Sequence, residues 1–456
     1  GVVVTGSVVK SGDSLRISAT VVDARDNKPI RVIEPVAGPA SDPLIAISAL
    51  RERLLGSLAS GEATRRVSLA GVPPRYEAYR AMVDGWDLVL LQKDREALPL
   101  LRRALQLDSN FALVHVALGL VYIHLGLRDS AEHMIADVDR MRDRLSVTDK
   151  LQVDAFRAML SGDTEAELRS VRQYIARDSD PAWMFEAGNA AHRLLRPNDA
   201  IGLLRASDSA MIAGGWKPQI SVLSSAYHEA GDFVAQLSTL ERGRKLFPAF
   251  RAYAGLELSA LAGLRRPGAA LALADTLIAG TSGVDPSPVA FVVSGADEFL
   301  AHGDVATANL LARKVTTWDA AHPGPPPRAR HITVGAAWLI LRQLDSAATH
   351  YRAAAHDSLS IQVAGYLAVI SAQQGDTSGA RATADSLAAL PSPRTAGARD
   401  YWRAAILGQL GEREQAVSLL RQSTHEGQSM ESWHADAVLR ALHGYPPFDQ
   451  MITAKQ

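Results

Sequence analysis

Metal or acid–base chemistry in this chain would rest on histidines and carboxylates, because its 456 residues include 13 histidines and no cysteine. The densest grouping is His425, Glu426, Glu431 and His434. Those spacings do not set three ligands on one helical face, so no metal site is expected from them. His115 falls where two helices should pack, and His350 and His356 fall on a solvated helix face; none reads as a catalytic base. The sequence has no GxxxxGK[ST] loop, no GxGxxG opening a helix after a strand, and no HExxH or GxSxG. The HRD and DFG landmarks of a kinase are missing too. A non-enzymatic segment is expected, with no cofactor and no metal.

Charge adds little to this. Lys plus Arg is 48 against 49 for Asp plus Glu, a net charge of -1, which leaves no basic footprint for nucleic acid. Arg102-Arg103, Arg265-Arg266 and the trio Arg140, Arg142 and Arg144 would suit an acidic or phosphorylated partner. Asp137, Asp139 and Asp143 interleave with the trio, which favours a solvated helix surface. No run of about 18 apolar residues is present to span a bilayer. The absence of cysteine is compatible with any compartment, so localisation stays open.

What must position these side chains is a repeat. Ala97, Ala131, Ala166, Ala200, Ala235, Ala269, Ala306, Ala347, Ala380 and Ala416 are separated by 34, 35, 34, 35, 34, 37, 41, 33 and 36 residues. A period near 34 resembles the tetratricopeptide (TPR) family, stacked pairs of helices that bind partners. Each pair wants a small residue at its eighth position where its helices close on bulky side chains. Gly85, Gly119, Gly188 and Gly335 supply it, with Leu101, Ile135, Leu204 and Tyr351 at the twenty-fourth. The repeats around Ala166, Ala235 and Ala269 lack it. Glycine recurs between helices at Gly126, Gly162, Gly231, Gly303, Gly375 and Gly411, four times followed by Asp. There it accommodates the left-handed backbone that ends a helix. The fold expected is a mainly α, TPR-like solenoid of about ten helix pairs behind a partial α+β domain.

In a TPR array the second, fifth, ninth and twelfth positions of the first helix face a concave groove. Tyr79, Met82, Trp86, Phe185, Asn189, His192 and Tyr401 fall on that row and are the expected partner-binding residues. Aromatic anchors would serve as hot spots for a docked peptide. The competing expectation is that Trp86 and Phe185 fill the groove as inter-repeat packing.

Residues 1–60 differ from the rest. Val2–Val9 is dense in β-branched residues, Leu15, Ile17, Ala19 and Val21 alternate with period two, and residues 30–36 form a third strand candidate. Asp42-Pro43 opens a helix with Leu44, Ile47, Leu50, Leu54, Leu55 and Leu58 on one side. The runs Val4-Thr5-Gly6-Ser7-Val8, Gly12-Asp13-Ser14-Leu15-Arg16-Ile17 and Val21-Val22-Asp23-Ala24-Arg25 resemble the C-terminal half of a TolB-like domain of bacterial multidomain signalling proteins. In that family the domain sits between an effector and a TPR array. The resemblance implies a piece of a longer protein, whose effector would be a serine/threonine kinase, a winged-helix DNA-binding domain or a nucleotide cyclase.

Expected boundaries are 1–60 for the partial α+β domain, 61–74 for a linker, 75–280 and 289–445 for two segments of the array, and 446–456 for a tail. The loops at 281–288 and 322–327 divide the array. Trp433, His434, Leu439, Leu442 and Gly444–Phe448 should form a capping helix and an extended strap over the last repeat. The function expected is a scaffold or sensory arm for a protein or peptide partner, with no nucleic-acid or membrane binding by this segment. The alternatives are the regulatory tail of a kinase and the partner-binding region of a transcriptional regulator.

Overall fold

A computed structural model describes residues 2–24, 28–62, 74–145, 147–281, 287–323, 326–356, 359–391 and 397–455. Outside them lie Arg25, the Asp26-Asn27 turn, most of the expected linker, and parts of both dividing loops, at 282–286 and 324–325. The side chains of Leu58 and Arg144 also lie outside the description. The chain forms two compact units. One comprises residues 1–160, 166–183 and 213–216, and the other residues 161–165, 184–212 and 217–456.

The first unit begins with strands β1 (Val2–Ser11), β2 (Ser14–Asp23) and β3 (Pro29–Pro39), an antiparallel sheet in the order β1-β2-β3. The period-two residues of β2 point one way: Ile17, Ala19 and Val21 are buried with Ile33 and Val36 of β3. Helix α1 (Pro43–Glu62) covers this face through Ala46, Leu50 and Leu54. Asp42 opens it, its carboxylate accepting the Leu44 backbone N–H at 3.2 Å. Val3, Val4, Val8 and Val9 of β1 stay exposed.

Helix pairs follow. They are α2 (Tyr76–Leu90) with α3 (Asp94–Leu107), α4 (Ala112–His124) with α5 (Arg128–Arg140), and α6 (Val147–Ser161) with α7 (Thr164–Ile175). Next come α8 (Pro181–Arg193) with α9 (Pro197–Ala213), α10 (Pro218–Glu229) with α11 (Phe233–Leu246), and α12 (Ala252–Gly263) with α13 (Pro267–Ala279). The last four are α14 (Ser287–Ala301) with α15 (Val305–Ala321), α16 (Arg328–Ile340) with α17 (Leu344–Ala354), α18 (Ile361–Gln373) with α19 (Thr377–Ala388), and α20 (Ala398–Gln409) with α21 (Arg413–His425). Even-numbered helices are the first, or A, helix of each pair.

The true ruler of the array is backbone conformation. Between the two helices of every pair stands one residue with positive φ: Gln92, Gly126, Gly162, Leu195, Gly231, Arg265, Gly303, Arg342, Gly375 and Gly411. Five residues later comes a fully buried one: Ala97, Ala131, Glu167, Ala200, Gln236, Ala270, Ala308, Ala347, Ala380 and Ala416. This corrects four members of the alanine series. Ala166 and Ala235 are only half-buried, and Ala269 and Ala306 are exposed, because the packed position lies one or two residues further on. The backbone explains the offset. In most pairs the fifth residue donates the first i→i−4 bond of the second helix, as Gln236 N does to Asp232 O and Ala308 N to Asp304 O, at 3.0 and 3.1 Å.

The Gly-Asp pairs divide the labour. Glycine takes the left-handed turn, and Asp232, Asp304 and Asp376 cap the following helix by accepting from the backbone N–H of Ala235, Thr307 and Gly379. The expected small eighth residues are close-packed. A Cβ on Gly85, Gly188 or Gly335 would lie 2.8, 2.6 or 3.0 Å from Leu101, Leu204 or Tyr351, and one on Gly119 would lie 2.2 Å from the Phe156 ring.

Candidate functional site

The seven residues expected to line a groove are mostly inside. In the first unit Tyr79 and Met82 are buried in the core of α2–α6, with Trp86 packed against it. In the second, Phe185, His192 and Tyr401 are buried and Asn189 is half-buried. Of these, His192 and Tyr401 meet the chain's own C-terminal segment.

That segment leaves α21 and travels back across the A helices of the second unit. It is not extended, as expected, but turn-rich: Trp433 N bonds to Met430 O at 3.1 Å and Ala435 N to Ser432 O at 3.0 Å. A 3-10 helix (Ala437–Leu442) and helix α22 (Pro446–Ile452) complete it. It also reaches well beyond the last repeat. Glu431 lies 3.6 Å from His192 Nε2 of α8, His434 lies 3.2 Å from the Glu298 carboxylate of α14, and Asp436 accepts from the Tyr401 hydroxyl of α20. Lys455 N donates to Leu195 O at 2.7 Å. Apolar side chains hold the strap down: Trp433, Leu439, Leu442 and Phe448 are fully buried, and the Trp433 ring lies 5.9 Å from that of Tyr401. Where the strap begins, a cavity of about 360 Å³ opens between Thr164, Arg193, Arg421 and Lys455.

Two histidine–carboxylate clusters fasten the middle of the strap. In one, His192 stands between Glu229 of α10, 2.9 Å from Nδ1, and Glu431 of the strap. Burial alone would push this imidazole down, yet the two carboxylates lift it to about 9. Burial prevails instead at Glu229, whose carboxyl is raised despite its imidazole neighbour. In the other cluster, His228 of α10, Glu298 and His434 converge. Burial works against charge here too, but the two imidazoles hold the Glu298 carboxyl well below its ordinary range, and Glu298 raises His228.

The fold does not bring His434 together with His425 and Glu426. His425 and Glu426 end α21, whereas the partners of His434 lie 206 and 136 residues away at His228 and Glu298. No local spacing could signal that. His115 is the buried interface histidine expected, its Nε2 3.0 Å from Ser109 O. His350 is half-buried rather than solvated, facing His331 at 3.3 Å. Among the basic residues, Arg102 meets the Tyr122 hydroxyl, Arg140 pairs with Asp137, and Arg142 with Asp154 at 2.8 Å.

The class of protein is set by this geometry: an α-helical repeat array of the tetratricopeptide kind behind a small three-stranded sheet. No protein-family model and no curated protein matches the sequence. Among solved structures it is similar to a tetratricopeptide repeat protein from Parabacteroides merdae, with 11% identity over 65% of this chain and 98% of that one and a TM-score of 0.32. It is also similar to the Cut9–Hcn1 hetero-tetramer of the APC/C, with 12% identity over 82% and 85% and a TM-score of 0.28. A third is Naa15/Naa10 bound to HypK-THB, with 16% identity over 76% of this chain and a TM-score of 0.26; this chain spans 62% of that one. The class rests on the repeat geometry. Among the described residues no helix is long and apolar enough to cross a membrane.

Proposed function

We propose that this chain is a non-catalytic interaction scaffold that binds a protein or peptide segment along the A helices of its second unit. The observation behind this reading is the strap itself. A turn-rich segment with carboxylates at 431 and 436 and a tryptophan between them is seated on His192 and Tyr401 by ionic, hydrogen-bonded and aromatic contacts. A partner segment of the same chemistry, acidic with one aromatic anchor, is the ligand this surface suits. The TolB-like resemblance of the first sixty residues extends the proposal to a sensory arm within a larger bacterial signalling protein.

The test uses a fluorescent peptide of residues 427–437 added to the full chain. The double variant Glu431→Gln, Asp436→Asn loosens the resident strap and should bind the peptide saturably, while the parent chain binds it poorly. Adding His192→Ala to the loosened chain should weaken binding by about fivefold or more. A loosened chain that stays folded, by circular dichroism, and takes up no peptide would remove the proposed surface.

A further inference from the structure

We propose that His228, Glu298 and His434 form a binding site for a divalent transition metal of the zinc class, which pins the strap to α10 and α14. The site is independent of whether a partner peptide uses the same surface. Its donor atoms form a compact triangle: His228 Nε2 to His434 Nε2 is 3.3 Å, His434 Nε2 to the Glu298 carboxylate 3.2 Å, and His228 Nε2 to the same oxygen 3.5 Å. An ion bound tetrahedrally at about 2.05 Å holds its donors about 3.3 Å apart. Two imidazoles and one carboxylate are ligands that zinc accepts together, with a fourth position left for water or another donor.

The surroundings fix which nitrogen is free to ligate. Gln236 commits its amide N–H groups to Leu256 O at 3.3 Å and Ser259 Oγ at 3.0 Å. Its carbonyl oxygen is thereby turned to His228 Nδ1, 3.1 Å away. A carbonyl only accepts, so Nδ1 keeps a proton, and a metal that displaces the proton Glu298 favours on Nε2 finds that nitrogen's lone pair directed into the triangle. This is the outer-shell support that metal-binding histidines characteristically receive. It also accounts for a glutamine at a packed position where eight other repeats have alanine.

A further histidine flanks the site without entering the donor triangle. His302 follows Glu298 by four residues, and its ring centroid lies 6.4 Å from that of His228. Its buried Nε2 has no hydrogen-bond partner among the described residues. Phe233 packs edge-on against both rings, at 5.2 and 5.5 Å.

The experiment takes the full chain stripped with a chelator and titrates it with Co²⁺, followed by visible absorption, and with Zn²⁺ by calorimetry. The expected result is one equivalent bound, with a tetrahedral cobalt spectrum that Zn²⁺ displaces. Glu298→Gln and His434→Gln should each weaken binding by about tenfold or more, and Gln236→Leu by several-fold, while His133→Ala on an exposed helix face leaves it unchanged. Circular dichroism of each variant confirms that it is folded, and His434→Gln lies on the more exposed strap, where the fold is least at risk. No cobalt spectrum and no stoichiometric heat would overturn the site, leaving an ion-paired cluster. Equal affinity in parent, Glu298→Gln and His434→Gln would overturn it as well, placing the metal elsewhere.

Discussion

Glu167 and Gln236 occupy the packed position that is alanine in the other eight repeats. A polar side chain there is tolerated only if its hydrogen bonds are met, and Gln236 meets them by linking α12 to His228. His192 shows the same logic with charge. Its imidazolium is held by Glu229 from α10 and Glu431 from the strap, which lift it from 6.5 to about 9 against the effect of burial. The folded-state value lies above the unfolded one, so this stabilisation is complete below about pH 6.5 and is lost as pH rises through about 9. Chemical denaturation at pH 6.5 and 9.5 should therefore show the parent chain losing on the order of 2 kcal/mol more stability than His192→Gln. Equal losses would mean that the imidazole is neutral throughout. His192 was legible as a residue on the inner face of its helix. Its partners were not, since Glu431 lies 239 positions away in sequence.

At the scale of the elements, the helix pairs and most of their turns could be read directly, because glycine and aspartate mark them by conformation and capping. The alanine series succeeded in part. Alanine is common enough in these helices that a neighbour of the packed residue keeps the period, as Ala269 does beside Ala270. The left-handed turn is the firmer marker, and four turns build it without glycine: Gln92, Leu195, Arg265 and Arg342, at φ of 59°, 55°, 53° and 58°. A side chain in this conformation costs about 1 kcal/mol. Replacing the exposed Gln92 or Arg342 by glycine should accordingly raise stability by roughly 0.5 kcal/mol, since relief of strain exceeds the added freedom of the unfolded chain. Leu195→Gly should instead lower it by 2 kcal/mol or more, roughly the value of a buried leucine, because that side chain sits in the core beneath the strap. Urea denaturation of the three variants checks the opposite signs. A gain for Leu195→Gly would show that its side chain contributes little.

For the molecule as a whole, the sequence predicted a groove and a strap as separate features, and within the second unit the structure joins them. Trp433 and Leu439 were recognisable as apolar anchors. Where they land was hidden, because the strap's path is set by long-range contacts with α8, α10, α14 and α20 rather than by local periodicity. Residues 428–442 should therefore stay seated on those helices in solution. Amide hydrogen exchange of the full chain, followed by mass spectrometry, tests this most directly. Peptides covering 428–442 should exchange slowly, on the timescale of the A helices, and Glu431→Gln with Asp436→Asn should speed this segment selectively. Exchange of 428–442 in the parent chain at the rate of a free peptide, with the helices still protected, would contradict this seating.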